Sequence, residues 1–234
     1  MEAEFWHERW QDGRIGFHQA DVNALLRAHW PTLAPLRGAT NEVFVPLCGK
    51  SLDMVWLASP EGGAHHVIGV ELSDIAARAF FEEQGLAYSE ISAAACYTIQ
   101  RQGQFDIYRH GRYEIWCGDF FAFPTERLAG TRLAYDRASL IALPPDMRQW
   151  YARKLTQSLP AEARTLLLTL TYGDGELQGP PFSVSDAEVN ALFGPDRVVT
   201  LLETQGTTAG GGDPRSRSGV TATTSAFVIG PATP

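Results

Sequence analysis

Apolar and polar positions along the chain switch repeatedly between the strand period and the helix period. Val43-Phe44-Val45-Pro46-Leu47 is a short, continuous apolar run with β-branched members, which predicts a buried strand. The sharp turn Cys48-Gly49-Lys50-Ser51 follows. Met54, Trp56, Leu57 and Ala58 then predict a helix, with Ser51 and Asp53 placed to cap and charge its start. Pro60, Gly62 and Gly63 end that helix, and Val67 to Val70 is a second apolar run that closes on Glu71. Together these make one βαβ unit. Upstream, Asp21 is placed to cap a helix over Val22, Leu25, Leu26 and Trp30, which Pro31 ends. Downstream, Ser73 and Asp74 start a helix over Ile75, Ala76, Ala79, Phe80 and Phe81 that stops at Gly85. Residues 88–103 carry little pattern; they lie where a third strand would begin and read as partly loop.

Phe105 to Cys117 predicts a hairpin turning at His110-Gly111. Thr131 to Tyr135 is a further strand, residues 146–159 a helix ended by Pro160, and Arg164 to Tyr172 a strongly apolar strand. Ser185 caps a helix over Val189, Leu192 and Phe193. Val198 to Leu202 and Thr221 to Ile229 are predicted to form an antiparallel pair that closes the sheet. The Gly/Ser/Thr-rich stretch between them, residues 207–219, is predicted to be mobile. Strands alternating with helices give an α/β fold with a mostly parallel sheet, and the whole chain, 1–234, reads as a single domain.

The first βαβ unit suggests a ligand. A glycine turn lets a ligand approach the backbone, the helix start offers free N–H groups, and an acid at the next strand tip can accept from both hydroxyls of a ribose. Gly49 and Glu71 fill those places, which fits an adenosine moiety. A pyrophosphate cradle needs more glycines than this turn has, and the same pattern occurs in α/β proteins that bind nothing there. Asp119, at the tip of the hairpin's second arm, can accept from an adenine amine, with Phe120 packing on the ring; an aspartate in that place also caps an ordinary turn. Asp136 and Arg137 end another strand and fall beside the same crevice. Residues 1–20 are dense in aromatics and predict a lid, with Trp6 mostly in the core and Trp10 and Phe17 nearer the ligand. His18 reads as a hydrogen-bonded structural histidine.

Charge and composition narrow the function. A formal charge of −8 argues against a nucleic-acid binder, which needs a basic face. Cys48, Cys96 and Cys117 have no paired spacing, so neither a disulfide framework nor a metal site is expected. No stretch approaches the roughly 18 apolar residues of a membrane span, and the N-terminus lacks a signal core, so a cytoplasmic, monomeric protein is expected.

Joint features resemble one family. These are Phe5-Trp6, Trp10, Ile15-Gly16-Phe17-His18-Gln19, Val45-Pro46-Leu47-Cys48-Gly49-Lys50-Ser51, Gly69-Val70-Glu71-Leu72-Ser73, Tyr135-Asp136-Arg137-Ala138 and Gly179-Pro180-Pro181-Phe182. In this the chain resembles bacterial thiopurine S-methyltransferases, a class I methyltransferase family. The resemblance implies a seven-stranded Rossmann-like sheet with helices on both faces and an antiparallel C-terminal strand pair. It implies S-adenosylmethionine as cofactor, S-adenosylhomocysteine as product, and a small-molecule thiol or thiopurine as acceptor, or else a selenium or tellurium species. Carried over by motif, Trp10, Leu47, Gly49, Glu71, Asp119, Phe120 and Arg137 would meet the cofactor. Phe17, Arg137 and Arg215 would border the acceptor, and Arg137 would favour its thiolate. Less close readings are a nicotinamide-dependent oxidoreductase and a binding protein without turnover.

Overall fold

The computed structural model describes residues 3–33, 41–91, 94–209 and 219–232. Its elements in chain order are α1 (Ala3–Gln11), α2 (Ala24–Leu33), β1 (Glu42–Val45), α3 (Leu52–Ala58), β2 (His66–Glu71), α4 (Asp74–Glu82), β3 (Ala87–Tyr88), β4 (Cys96–Gln102), β5 (Phe105–His110) and β6 (Tyr113–Cys117). They continue with β7 (Leu133–Arg137), α5 (Pro145–Ser158), β8 (Arg164–Tyr172), α6 (Asp186–Phe193), β9 (Arg197–Ala209) and β10 (Val220–Pro231).

One sheet runs in the order β3-β4-β5-β6-β2-β1-β7-β8-β10-β9. The expected seven strands are its larger part, from β6 to β9. Neighbours from β6 to β8 are parallel, and β10 lies antiparallel between β8 and β9. Three further strands extend the β6 edge, with β5 antiparallel to both β4 and β6. Alternation along the strands divides the core in two. Phe44 packs with Tyr151, Leu155, Val189 and Phe193 of α5 and α6. Val43 and Val45 pack with Leu26, Trp30, Met54, Leu57 and Phe80 of α2, α3 and α4. A strand buried on both faces reads as an unbroken apolar run, and for that reason β1 and β2 were visible in the sequence.

Three local expectations change. The cap of α2 is Asn23, whose Oδ1 accepts from Leu25 N at 3.0 Å, and not Asp21. Pro31 lies inside α2 rather than ending it. Trp30 and Leu33 are both fully buried, and packing that face offsets the one backbone bond proline removes near the C-terminus. The low-pattern stretch 88–103 is part strand, as expected: it contains β4, with non-strand residues before it. Only Tyr97 of β4 is fully buried, because the strand lies near the sheet edge and turns its polar residues outward. β9 also runs further than its apolar residues suggest: Thr207 pairs with Ala222 and Thr208 with Thr221, so backbone pairing carries the strand past its side-chain signal. Residues 210–218 of the segment expected to be mobile, Arg215 among them, lie outside the described residues.

Candidate active site

A cleft of ≈ 900 Å³ opens at the C-terminal ends of the parallel strands, where ligands bind in open α/β sheets. Glu71, at the tip of β2, is 6% exposed. Its Oε2 accepts from Gly49 N at 2.8 Å and its Oε1 from Ser73 N at 2.8 Å. Burial pushes its pKa up, and these backbone donors oppose the shift. A carboxylate offers about four acceptor positions, so about two remain for a ligand. Gly49 has φ +53°, and a Cβ there would stand 3.4 Å from the Trp10 ring. Leu47 and Ala138 also line the cleft with φ of 44° and 65°, a conformation that costs a non-glycine residue of order 1–3 kcal/mol. Cys48 N donating to Val70 O and Ser139 Oγ donating to Pro46 O fix the loops that hold them there.

Asp53 organises the part of the wall formed by Ser51 and Arg137. Ser51 caps α3, its Oγ accepting from Asp53 N at 3.2 Å. The Asp53 carboxylate is 1% exposed and receives three donors: Arg137 Nε at 2.6 Å, Tyr135 OH at 3.0 Å and Asn23 N at 2.8 Å. Arg137 also donates from Nη2 to Ser51 Oγ at 3.0 Å and from Nη1 to Phe17 O at 3.5 Å. Parallel pairing of β1 with β7 brings the end of β7 against the start of α3. Tyr135 and Arg137 point to that side. Asp136, between them, points to the other, where Tyr151 OH donates to its Oδ2 at 2.6 Å.

Asp136 is fully buried, and burial pushes its pKa up to about 6 against the Tyr151 hydrogen bond. A raised carboxyl pKa gives stability that is complete below the unfolded value near 3.9 and is lost as pH rises through about 6. Asp136→Asn keeps an acceptor for Tyr151 and removes the charge. The variant is therefore expected to be more stable than the wild type at pH 8, by roughly 2–3 kcal/mol, and to lose that advantage by pH 4. Thermal unfolding at the two pH values checks this; an equal difference at both would mean that ionisation of Asp136 is not responsible.

The N-terminal segment covers the cleft. Trp10 is 7% exposed, and its ring meets Phe17 edge to face at 5.6 Å; Phe17 meets Trp6 at 5.9 Å. Trp6 was expected in the core, yet it is half-buried and lines the cleft. One helical turn separates it from Trp10, so both share the cleft-facing side of α1. Phe120 is buried in the floor, stacked at 6.5 Å on Phe44 and tilted on Tyr151. Asp119 is exposed at the cleft, its Oδ1 accepting from Phe121 N at 2.9 Å, which is the turn-capping arrangement. Lys50 lines the cleft and pairs with Glu83. His18 is half-buried in the cleft wall, and its imidazole makes no hydrogen bond among the described residues, contrary to the structural role expected for it.

The partner of Arg137 is Asp53, a pairing the sequence analysis did not anticipate. A signal was present. Asp53 shares the buried face of α3 with Trp56 and Leu57, and a carboxylate on such a face needs a cation or several donors.

A model of the family described as Thiopurine S-methyltransferase matches residues 1–227. The chain belongs to the thiopurine S-methyltransferase family. A thiopurine S-methyltransferase of Pseudomonas fluorescens is 48% identical over 206 residues, covering 88% of each chain. A probable thiopurine S-methyltransferase of Yarrowia lipolytica is 45% identical over 203 residues, 87% of this chain and 89% of that one. Among solved structures, a Burkholderia thailandensis 1,6-didemethyltoxoflavin-N1-methyltransferase with bound S-adenosylhomocysteine superposes with a TM-score of 0.60 at 15% identity. That match covers 98% of this chain and 87% of the other, and it supports the fold: a class I S-adenosylmethionine-dependent methyltransferase sheet.

The thiopurine S-methyltransferase cofactor fits the cleft as built. The lone pairs left on Glu71 suit two ribose hydroxyls. The glycine turn under Trp10 gives backbone room that a side chain at residue 49 would fill. Cys48 and Cys117 offer no competing nucleophile. Burial pushes the Cys48 thiol far up and the Cys117 thiol up to about 12, so neither is a thiolate near neutral pH.

Proposed function

We propose that this chain transfers the methyl group of S-adenosylmethionine to the sulfur of an aromatic or heterocyclic thiol, thiopurines included, leaving S-adenosylhomocysteine and a thioether. The observation that carries the reading is the Glu71 carboxylate, buried at the strand tip and holding the Gly49 turn, in a chain of this family. Glu71 binds the ribose hydroxyls, Leu47 and Gly49 shape the backbone beside the methionine part, and Trp10 covers it. Asp119 and Phe120 form the adenine end. Phe17 and Arg137 border the acceptor.

When bound, the cofactor supplies a methyl carbon already activated by its sulfonium sulfur. The protein's part is then to align the acceptor sulfur and keep water out. Trp6, Trp10 and Phe17 form the apolar cover that does the second. Arg137 is held ready by Asp53 and Ser51, and its bond to the Phe17 carbonyl is the longest it makes and the easiest to exchange for a ligand atom. Its charge is already balanced by Asp53, so it orients an acceptor more than it ionises one. The described residues contain no helix long and apolar enough to cross a membrane, and the proposed setting is a monomer acting on small molecules in the cytoplasm.

Calorimetric titration with S-adenosylhomocysteine, followed by product analysis with a mercaptopurine, tests the reading. Binding, heat protection by S-adenosylhomocysteine but not by NAD, and an S-methyl product are expected. A wild-type protein that binds no S-adenosylhomocysteine would remove it.

A further inference from the structure

Methylating a thiol releases a proton, and the cleft has few groups able to take it. Lys50 and Arg137 are paired with Glu83 and Asp53. Glu71 accepts a backbone donor on each oxygen, and its remaining acceptor positions are assigned to the ribose hydroxyls. Asp119 caps the turn at Phe121. Tyr135 and Tyr151 donate to Asp53 and Asp136, and burial holds their protons firmly. Cys48 is buried and likewise protonated.

One titratable side chain in the wall stands apart from this list. His18 closes a short turn, its N donating to Ile15 O at 2.8 Å. It directly follows Phe17, whose ring packs on Trp6 and Trp10 and whose carbonyl meets Arg137. The turn therefore sets His18 beside the two residues that border the acceptor. We propose that His18 is the base that receives the acceptor's proton as its sulfur attacks the methyl carbon. This rests on the thiol-methylation reading above. The electron pair of the S–H bond stays on sulfur as the new S–CH3 bond forms. The pair of the breaking C–S bond returns to the sulfonium sulfur, leaving a neutral thioether. The proton resides on an imidazole nitrogen until solvent removes it. No other reactant is required.

The surroundings prepare His18 for this role. The charged groups facing it are Lys50, Arg137, Glu83 and Asp53. Burial and then Lys50 lower its pKa, Arg137 adds to this, and the two acids oppose it, with a net decrease from 6.5. The ring is thus neutral at working pH and, with no hydrogen bond to break among the described residues, can accept immediately. The pairing of Arg137 with Asp53 gives the base its purpose. A cation already balanced has little pull left to ionise a thiol.

The test compares two acceptors in the wild type and in His18→Gln. One is a nitro-substituted thiophenol, ionised at neutral pH; the other is a benzyl thiol, protonated there. The variant is expected to lose roughly 100-fold or more in kcat/KM on the protonated thiol and only a few-fold on the ionised one, with S-adenosylhomocysteine affinity unchanged. Equal losses on both would assign His18 a structural role in the lid and overturn the proposal; so would no loss on either. A second readout needs no variant. With the protonated thiol, the wild-type kcat/KM should stay level down to a break below 6.5 and then fall; a break at the thiol's own pKa would mean that solvent, not His18, takes the proton. If the wild type methylates no thiol at all, the underlying reading fails first, visibly, before any variant is made.

Discussion

Replacing Glu71 with alanine is expected to weaken S-adenosylhomocysteine binding by roughly 100- to 10,000-fold. Two ribose hydroxyls donating to a carboxylate are worth about 1.5–3 kcal/mol each, and every 1.4 kcal/mol is a factor of ten. The substitution also strips the acceptor from Gly49 N and Ser73 N, both at 2.8 Å. The turn then loses one of its ties to β2 and keeps that from Cys48 N to Val70 O. Glu71→Gln keeps one carbonyl oxygen and should fall between the two. Titration of all three proteins, with thermal unfolding as a control for folding, decides it. Near wild-type affinity in Glu71→Ala would place the ribose elsewhere in the cleft.

Asp53→Ala is expected to destabilise the protein by about 3–5 kcal/mol and to abolish turnover. Removing one partner of a buried ion pair leaves the other charge uncompensated. Here Arg137, with 13% of its side chain exposed, would keep only the Ser51 hydroxyl and a carbonyl contact. For a chain of this size each kcal/mol lowers Tm by about 2–4 °C, so a drop of roughly 6–20 °C should appear in thermal unfolding. Tyr135 OH and Asn23 N lose their acceptor in the same step. Combining Asp53→Asn with Arg137→Gln should destabilise by less than the sum of the single changes, because neither charge is then left alone. Strict additivity would show that the pair is not coupled.

The sequence was most readable where one residue type answers one physical need. Buried strands need unbroken apolar runs, which placed β1, β2 and β8. A left-handed turn against an aromatic ring needs glycine, which marked Gly49. An acid at the tip of a buried strand pointed to Glu71. Strand tips and the aromatic lid marked Asp119, Phe120, Arg137, Trp10 and Phe17, family resemblance added Leu47, and the structure brings all six to the same cleft. Pairings that depend on strand order were less visible. Arg137 finds Asp53 because β7 lies beside β1, a neighbour relation that no local pattern encodes. β4 was obscured because a strand near the edge shows its polar residues to water, and the same polarity marks a loop.

The attachment of the lid has a consequence for how the protein is made. Phe17 meets Arg137, 120 residues further along, and Asn23 meets Asp53, 30 residues along. A ribosome adds about 5–20 residues per second, so the aromatic segment emerges roughly 6–24 s before the arginine it rests beside. During that interval Trp6, Trp10 and Phe17 have no finished surface to cover. A segment synthesised well before its partner is thus late to reach its place, and the cofactor cleft closes only after the strand that ends in Arg137 has joined the sheet.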